Sequence, residues 1–147
     1  MAASVAGTTH IETHLSAPPE TVWGVVGDLE GELPHILPDV RTMRVVRGSI
    51  IDPRFEALAT GYLGQRARFD VLMEPGYCWM QSRFLLGGFA AVAEDGGTRL
   101  GFLGGFRFPG IKTLSPALHR PGHAFAKLVV RRIEGRVQAA RSRRPAA

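Results

Sequence analysis

Turn-forming residues cut the chain between Val40 and Phe108 into short extended segments, and this punctuation constrains the fold more than any other feature. Gly61 to Gly64, Glu74-Pro75-Gly76, Gly87-Gly88 and Asp95-Gly96-Gly97 supply residues suited to tight turns. The last is the strongest hairpin signal, because two-residue turns need positive φ at their centre. The predicted strands are Val40 to Arg47, Arg54 to Thr60, Arg66 to Met73, Tyr77 to Leu85, Phe89 to Glu94 and Thr98 to Phe108. Strands in unbroken succession meander or curve into one antiparallel sheet, and its apolar face needs a cover.

The flanking segments supply that cover. Thr8 to Leu15 alternates apolar and polar positions as a strand does, and Ser16-Ala17-Pro18-Pro19-Glu20 ends it and opens a helix. From Pro19 to Leu29 the residues Val22, Trp23, Val26 and Leu29 recur at helical spacing. Gly31 to Pro38, with prolines on both sides of His35-Ile36-Leu37, allows one further helical turn. Near the C-terminus Ser115-Pro116 caps a first helical piece, and Pro121-Gly122 interrupts before a longer helix running to about Arg141. Ala126, Val129, Val130, Ile133 and Val137 form its apolar stripe. The expected class is α+β: a curved seven-stranded antiparallel sheet around a long C-terminal helix, with two short helices after strand 1. Residues 1–141 form one domain, and 142–147 form a basic disordered tail.

A chain of 147 residues buries roughly 70% of its unfolded surface, so no covalent staple is required. The single cysteine, Cys78, excludes an intramolecular disulfide and a cysteine zinc site. The first residues show neither a basic nor an apolar leader, and no apolar run approaches the ~20 residues of a membrane span; a cytoplasmic protein is expected. The net charge of +5 is concentrated in the last helix and in Arg141, Arg143 and Arg144, which describes a solvated helix face and tail rather than a nucleic-acid surface.

Several phrases, in order along nearly the whole chain, resemble the polyketide cyclase/dehydrase branch of the START-like (SRPBCC, helix-grip) superfamily. They are Ser16-Ala17-Pro18-Pro19-Glu20-Thr21-Val22-Trp23 with Asp28, Leu37-Pro38-Asp39-Val40, and Val45-Val46-Arg47-Gly48-Ser49. Gly97-Thr98-Arg99-Leu100, Phe108-Pro109-Gly110 and Val130-Arg131-Arg132-Ile133-Glu134 follow. The resemblance implies a helix-grip fold with a cavity between the concave sheet face and the last helix, entered near the short helices.

Strand alternation selects the faces. Arg66, Arg68 and Asp70 face water, so Ala67, Phe69, Val71 and Met73 face the pocket. Cys78, Met80, Ser82 and Phe84 do likewise, as do Leu100, Phe102, Phe106 and Phe108. The ligand-binding candidates are Trp23, Phe69, Val71, Met80, Phe84, Leu100, Phe102, Phe106, Phe125 and Val129. Each also suits a packed core. The polar candidates for catalysis are Glu56, Tyr62, Ser82, His35 and His123. An even-length loop after Thr60 turns Glu56 inward and an odd one turns it outward. His119 and His123 are one helical turn apart, but the intervening Pro121-Gly122 argues against a paired metal face. No metal and no cofactor are expected, and Cys78 suits a small buried side chain.

Two functions stay open. One is a cyclase, aromatase or dehydratase folding a polyketide-like chain by proximity and acid/base steps. The other is a non-catalytic carrier of a lipid, quinone or aromatic metabolite. An RNA- or protein-interaction module using Arg131, Arg132 and Arg136 ranks behind both. The expected partner is a small hydrophobic molecule, with no nucleic acid and no membrane span; a homodimer is left open.

Overall fold

The computed structural model describes residues 8–49, 51–106 and 111–143, the side chains of 111–116, 118 and 119 excepted. Strand β1 (Thr8–Leu15) is followed by helices α1 (Pro19–Val26) and α2 (Leu33–Ile36). Strands β2 (Thr42–Arg47), β3 (Arg54–Thr60), β4 (Arg66–Glu74), β5 (Tyr77–Gln81), β6 (Leu85–Glu94) and β7 (Gly97–Phe106) come next. Helix α3 (Ile111–Arg143) closes the chain. The strands form one seven-stranded sheet in the order β1-β7-β6-β5-β4-β3-β2, antiparallel throughout. The meander and its helical cover are those expected from the turn signals.

Asp95 and Gly96 both adopt positive φ, at 42° and 76°, which gives the β6–β7 hairpin a tight turn matched to the sheet's twist. Gly97 has a different reason to be glycine. A Cβ there would collide with the carbonyl oxygen of Leu15, so the hairpin base meets β1 only without a side chain.

Two expectations are corrected. First, Gly87-Gly88 is not a turn: both residues lie inside β6, and the chain reverses at residues 82–84. An added Cβ at Gly88 would come within 2.7 Å of the Cys78 carbonyl oxygen and 3.0 Å of the Trp79 ring, so glycine lets the indole lie across the sheet. The Ser82 hydroxyl organises the actual turn, accepting from the Leu85 N–H at 3.1 Å. Second, α3 runs unbroken through Pro116 and Pro121-Gly122 and continues to Arg143, two residues beyond the expected end. Gly122 permits a close approach instead of a break: a Cβ there would lie 2.6 Å from Thr9 Oγ1 on β1. The described part of β7 reaches Phe106, and the expected positions of Arg107, Phe108 and Pro109-Gly110 lie outside the described residues.

The core lies between the concave sheet face and the helices. Val22, Val26, Leu29, Leu33 and Ile36 from the α1–α2 segment, and Ala126, Val129 and Ile133 from α3, are fully buried. They pack with Phe89, Leu100 and Phe102 of the sheet in one cluster. Burying each large apolar side chain among them contributes about 1.5–3 kcal/mol, ample for a domain of this size.

Candidate functional site

The strand register assigns every sheet residue to a face. Ile11 opposes Phe102, Phe102 opposes Phe89, and Phe89 opposes Cys78. Continuing across, Cys78 opposes Met73, Met80 opposes Val71, and Phe69 opposes Ala57. These residues share the concave face. Among its described strand positions the polar side chains are Thr9, Thr13, Thr98 and Cys78. Thr98 Oγ1 donates to the Ala17 carbonyl oxygen at 2.8 Å, which ties β7 to the entrance of α1. Burial pushes the Cys78 thiol up to about 12, so it is a neutral, inert group at physiological pH. No described carboxylate, imidazole, ammonium or guanidinium occupies a concave strand position.

The wall is built from large and small residues side by side. Phe89 and Phe102 pack with their ring centroids 5.2 Å apart and tilted by 35°. Beside them Gly87 faces inward opposite Gly104 and Met80. A Cβ at Gly87 would touch only the Leu103 carbonyl oxygen, at 3.4 Å, so there is free space above it. Among the described residues α3 packs on β1, β7, α1 and α2 and makes at most marginal contact with β3, β4 and β5. The helix therefore leans to one side of the trough, and Phe69 and Met73 opposite it are only half-buried.

Of the ligand-binding candidates, Phe69, Val71, Met80, Leu100, Phe102 and Phe106 lie at concave positions. Phe106, at the end of β7, is partly exposed. Val129 is fully buried on α3, and Phe125, one turn before it, is half-buried against the core. Trp23 is half-buried on α1, its indole folded over Gly27. Phe84 departs from expectation because β5 ends at Gln81. It sits in the following turn, about half exposed, with the Arg83 guanidinium 5.2 Å from its ring centroid.

The five catalytic candidates are not brought together. The β3–β4 loop runs from Gly61 to Gln65, an odd length, so Glu56 is on the outer face, where Arg68 Nη1 donates to its Oε2 at 3.4 Å. Tyr62 is exposed in that loop, and Ser82 bonds Leu85 within the β5–β6 turn instead of pointing inward. His35 on α2 is half-buried and His123 on α3 is exposed, and neither belongs to a strand of the sheet. The side chain of His119 lies outside the described residues. Among the described residues no group of three or more His, Cys, Asp and Glu could hold a metal ion.

Two features had no local signal in the sequence. Arg136 Nε donates to Glu32 Oε2 at 2.6 Å and Nη2 to Oε1 at 3.0 Å, a two-point clamp between α3 and the start of α2. The Arg136 guanidinium lowers the Glu32 carboxyl below its ordinary value. On the opposite, convex face, Arg47, Arg54, Glu56, Asp70, Trp79 and Gln81 border an open groove of about 760 Å³. Its mixed charges and openness distinguish it from the apolar trough.

No family model matches the chain, and no curated protein matches it. Solved structures match over almost the whole length. A protein of Thermus thermophilus is 21% identical with a TM-score of 0.67, covering 90% of this chain and 98% of its own. A START superfamily protein of Mycobacterium smegmatis is 17% identical with a TM-score of 0.63, over 90% and 98%. The Zhui aromatase/cyclase of a Streptomyces species is 14% identical with a TM-score of 0.63, over 89% and 94%. At these identities the likeness concerns architecture, and with the meander, the two short helices and the long closing helix it establishes the START-like, helix-grip fold for this chain.

Proposed function

We propose that the chain binds a small hydrophobic or aromatic, polyketide-like molecule in the trough between the concave sheet face and α3. The observation that carries this reading is the inner wall itself: aromatic and methionine side chains beside free space at Gly87, and no charged group at any described concave strand position. Such a wall recognises a ligand by shape and by apolar contact. Flexible Met73 and Met80 adapt to an irregular guest.

The wall supports a binder or carrier over an acid/base enzyme, because Glu56 lies on the outer face, Tyr62 is exposed in a loop and Ser82 is engaged in the β5–β6 turn. The likeness to an aromatase/cyclase supports a second reading, in which the trough folds a reactive chain and orientation supplies the rate. Native mass spectrometry after mild purification separates the outcomes. Retained or acquired apolar compounds leaving unchanged supports the carrier, and their conversion supports the enzyme. A protein that takes up no compound from a panel of aromatic polyketides, quinones and fatty acids overturns both.

A further inference from the structure

Three of the large exposed apolar side chains stand at one end of the sheet. The β3–β4 loop projects Tyr62, 65% exposed, and Leu63, 94% exposed. The β5–β6 turn carries Phe84, 51% exposed. The antiparallel order places this loop and this turn at the same end of the sheet. Leu63 is held out by an ordered loop: Gly61 N–H donates to the Gln65 carbonyl at 2.8 Å, and Leu63 N–H to Gln65 Oε1 at 3.0 Å. A leucine fixed in water gains nothing in the isolated molecule and, clustered with other exposed apolar side chains, marks a contact surface.

Charge identifies the contact. Residues 61–66 and 82–86 contain Arg66 and Arg83 and no carboxylate, and Arg83 stacks on Phe84. The turns at the other end of the sheet carry Asp52, Glu74, Glu94 and Asp95 together with Arg47 and Arg54. The first end thus combines cations with three exposed apolar side chains, while carboxylates outnumber cations at the other. Tyrosine, phenylalanine and arginine together suit the headgroup region of a bilayer, where an aromatic body and a charged head are both solvated well.

We propose that this end of the sheet docks on an anionic phospholipid surface, with Tyr62, Leu63 and Phe84 entering the interface and Arg66 and Arg83 meeting lipid phosphates. Among the described residues no helix is long and apolar enough to cross a membrane, so the contact is peripheral. It does not depend on what the trough holds.

Co-sedimentation of the full chain with vesicles of phosphatidylcholine, with and without phosphatidylglycerol, tests the surface. Binding is expected on the anionic vesicles alone and should weaken as salt is raised. Leu63→Asp should lower the partition coefficient about tenfold or more, and Arg66→Glu roughly fivefold, with the far-UV circular dichroism unchanged. Ile51 is 90% exposed at the opposite end of the sheet, so Ile51→Asp should leave vesicle binding as it was. Absence of binding to the anionic vesicles overturns the proposal. So does equal binding to neutral ones, an equal loss in Ile51→Asp, or a self-associated species that Leu63→Asp dissolves without any vesicle contact.

Discussion

Arg136 on α3 grips Glu32 at the N-terminal end of α2 through two hydrogen bonds, joining residues 104 positions apart. This two-point contact couples the closing helix to the short helices that lie beside the trough. Glu32 has a folded-state value below its ordinary one, so its contribution to stability is complete above the unfolded carboxyl range and is lost as pH falls through the folded value. Glu32→Gln should therefore destabilise the protein by about 1 kcal/mol at neutral pH. The gap between wild type and variant should close in acid, as read by urea denaturation at neutral and acidic pH.

The free space over Gly87 gives a direct handle on the trough. Gly87→Leu would project an isobutyl group between Met80 and Gly104, where a Cβ meets nothing closer than 3.4 Å. Replacing a strand glycine at a site with room should leave stability unchanged or raise it by roughly 0.5–1 kcal/mol. Affinity for an apolar ligand should fall at least tenfold, because the added atoms occupy its volume. A fluorescent apolar probe titrated into both proteins, alongside thermal melting, checks the two effects together.

Adjacent glycines in the β6–β7 turn should respond differently. At Gly96 the space is open and only its positive φ opposes a side chain, so Gly96→Ala should cost about 1 kcal/mol. At Gly97 the obstacle is the Leu15 backbone, which cannot rotate away, so Gly97→Ala should cost more, roughly 1–3 kcal/mol. Denaturant midpoints of the two variants test the order.

Cys78 should be silent toward thiol reagents in the folded protein. Its value of about 12 keeps it neutral across the pH range of ordinary labelling, and it is fully buried. Reaction with a disulfide reagent at mildly alkaline pH should be slow in buffer and fast in denaturant, with the rate in buffer tracking unfolding.

Ile133 is fully buried where α3 meets the core. Truncation to alanine leaves a cavity in a packed cluster and should cost about 2–5 kcal/mol, measured by urea denaturation.

Local chemistry made much of the fold legible. The alternation of Arg66, Arg68 and Asp70 with Phe69 and Val71 fixed the faces of β4, and the structure has them so. Asp95-Gly96 marked its hairpin because positive φ is a demand that few residues meet. Gly87-Gly88 and Pro121-Gly122 resemble the same kind of signal and are not, since Gly88 and Gly122 each answer a packing contact with a distant residue and Gly87 leaves space in the trough. The orientation of Glu56 depended on whether the β3–β4 loop held an odd or even number of residues, which composition alone does not settle. The displacement of Ser82 and Phe84 followed from one early strand end. The clamp between Glu32 and Arg136 arises only when distant parts of the chain meet.

Of the seven strands of the sheet, the earliest in the sequence is among the last that can be completed. β1 has one neighbour, β7, and Thr8 pairs with Gly105, so the N-terminal strand has no partner until nearly the whole meander exists. Loop-closure entropy delays such pairings relative to local hairpins. A chain emerging from a ribosome would hold β1 open until β7 appears, and its folding rate should be governed by this one long-range closure.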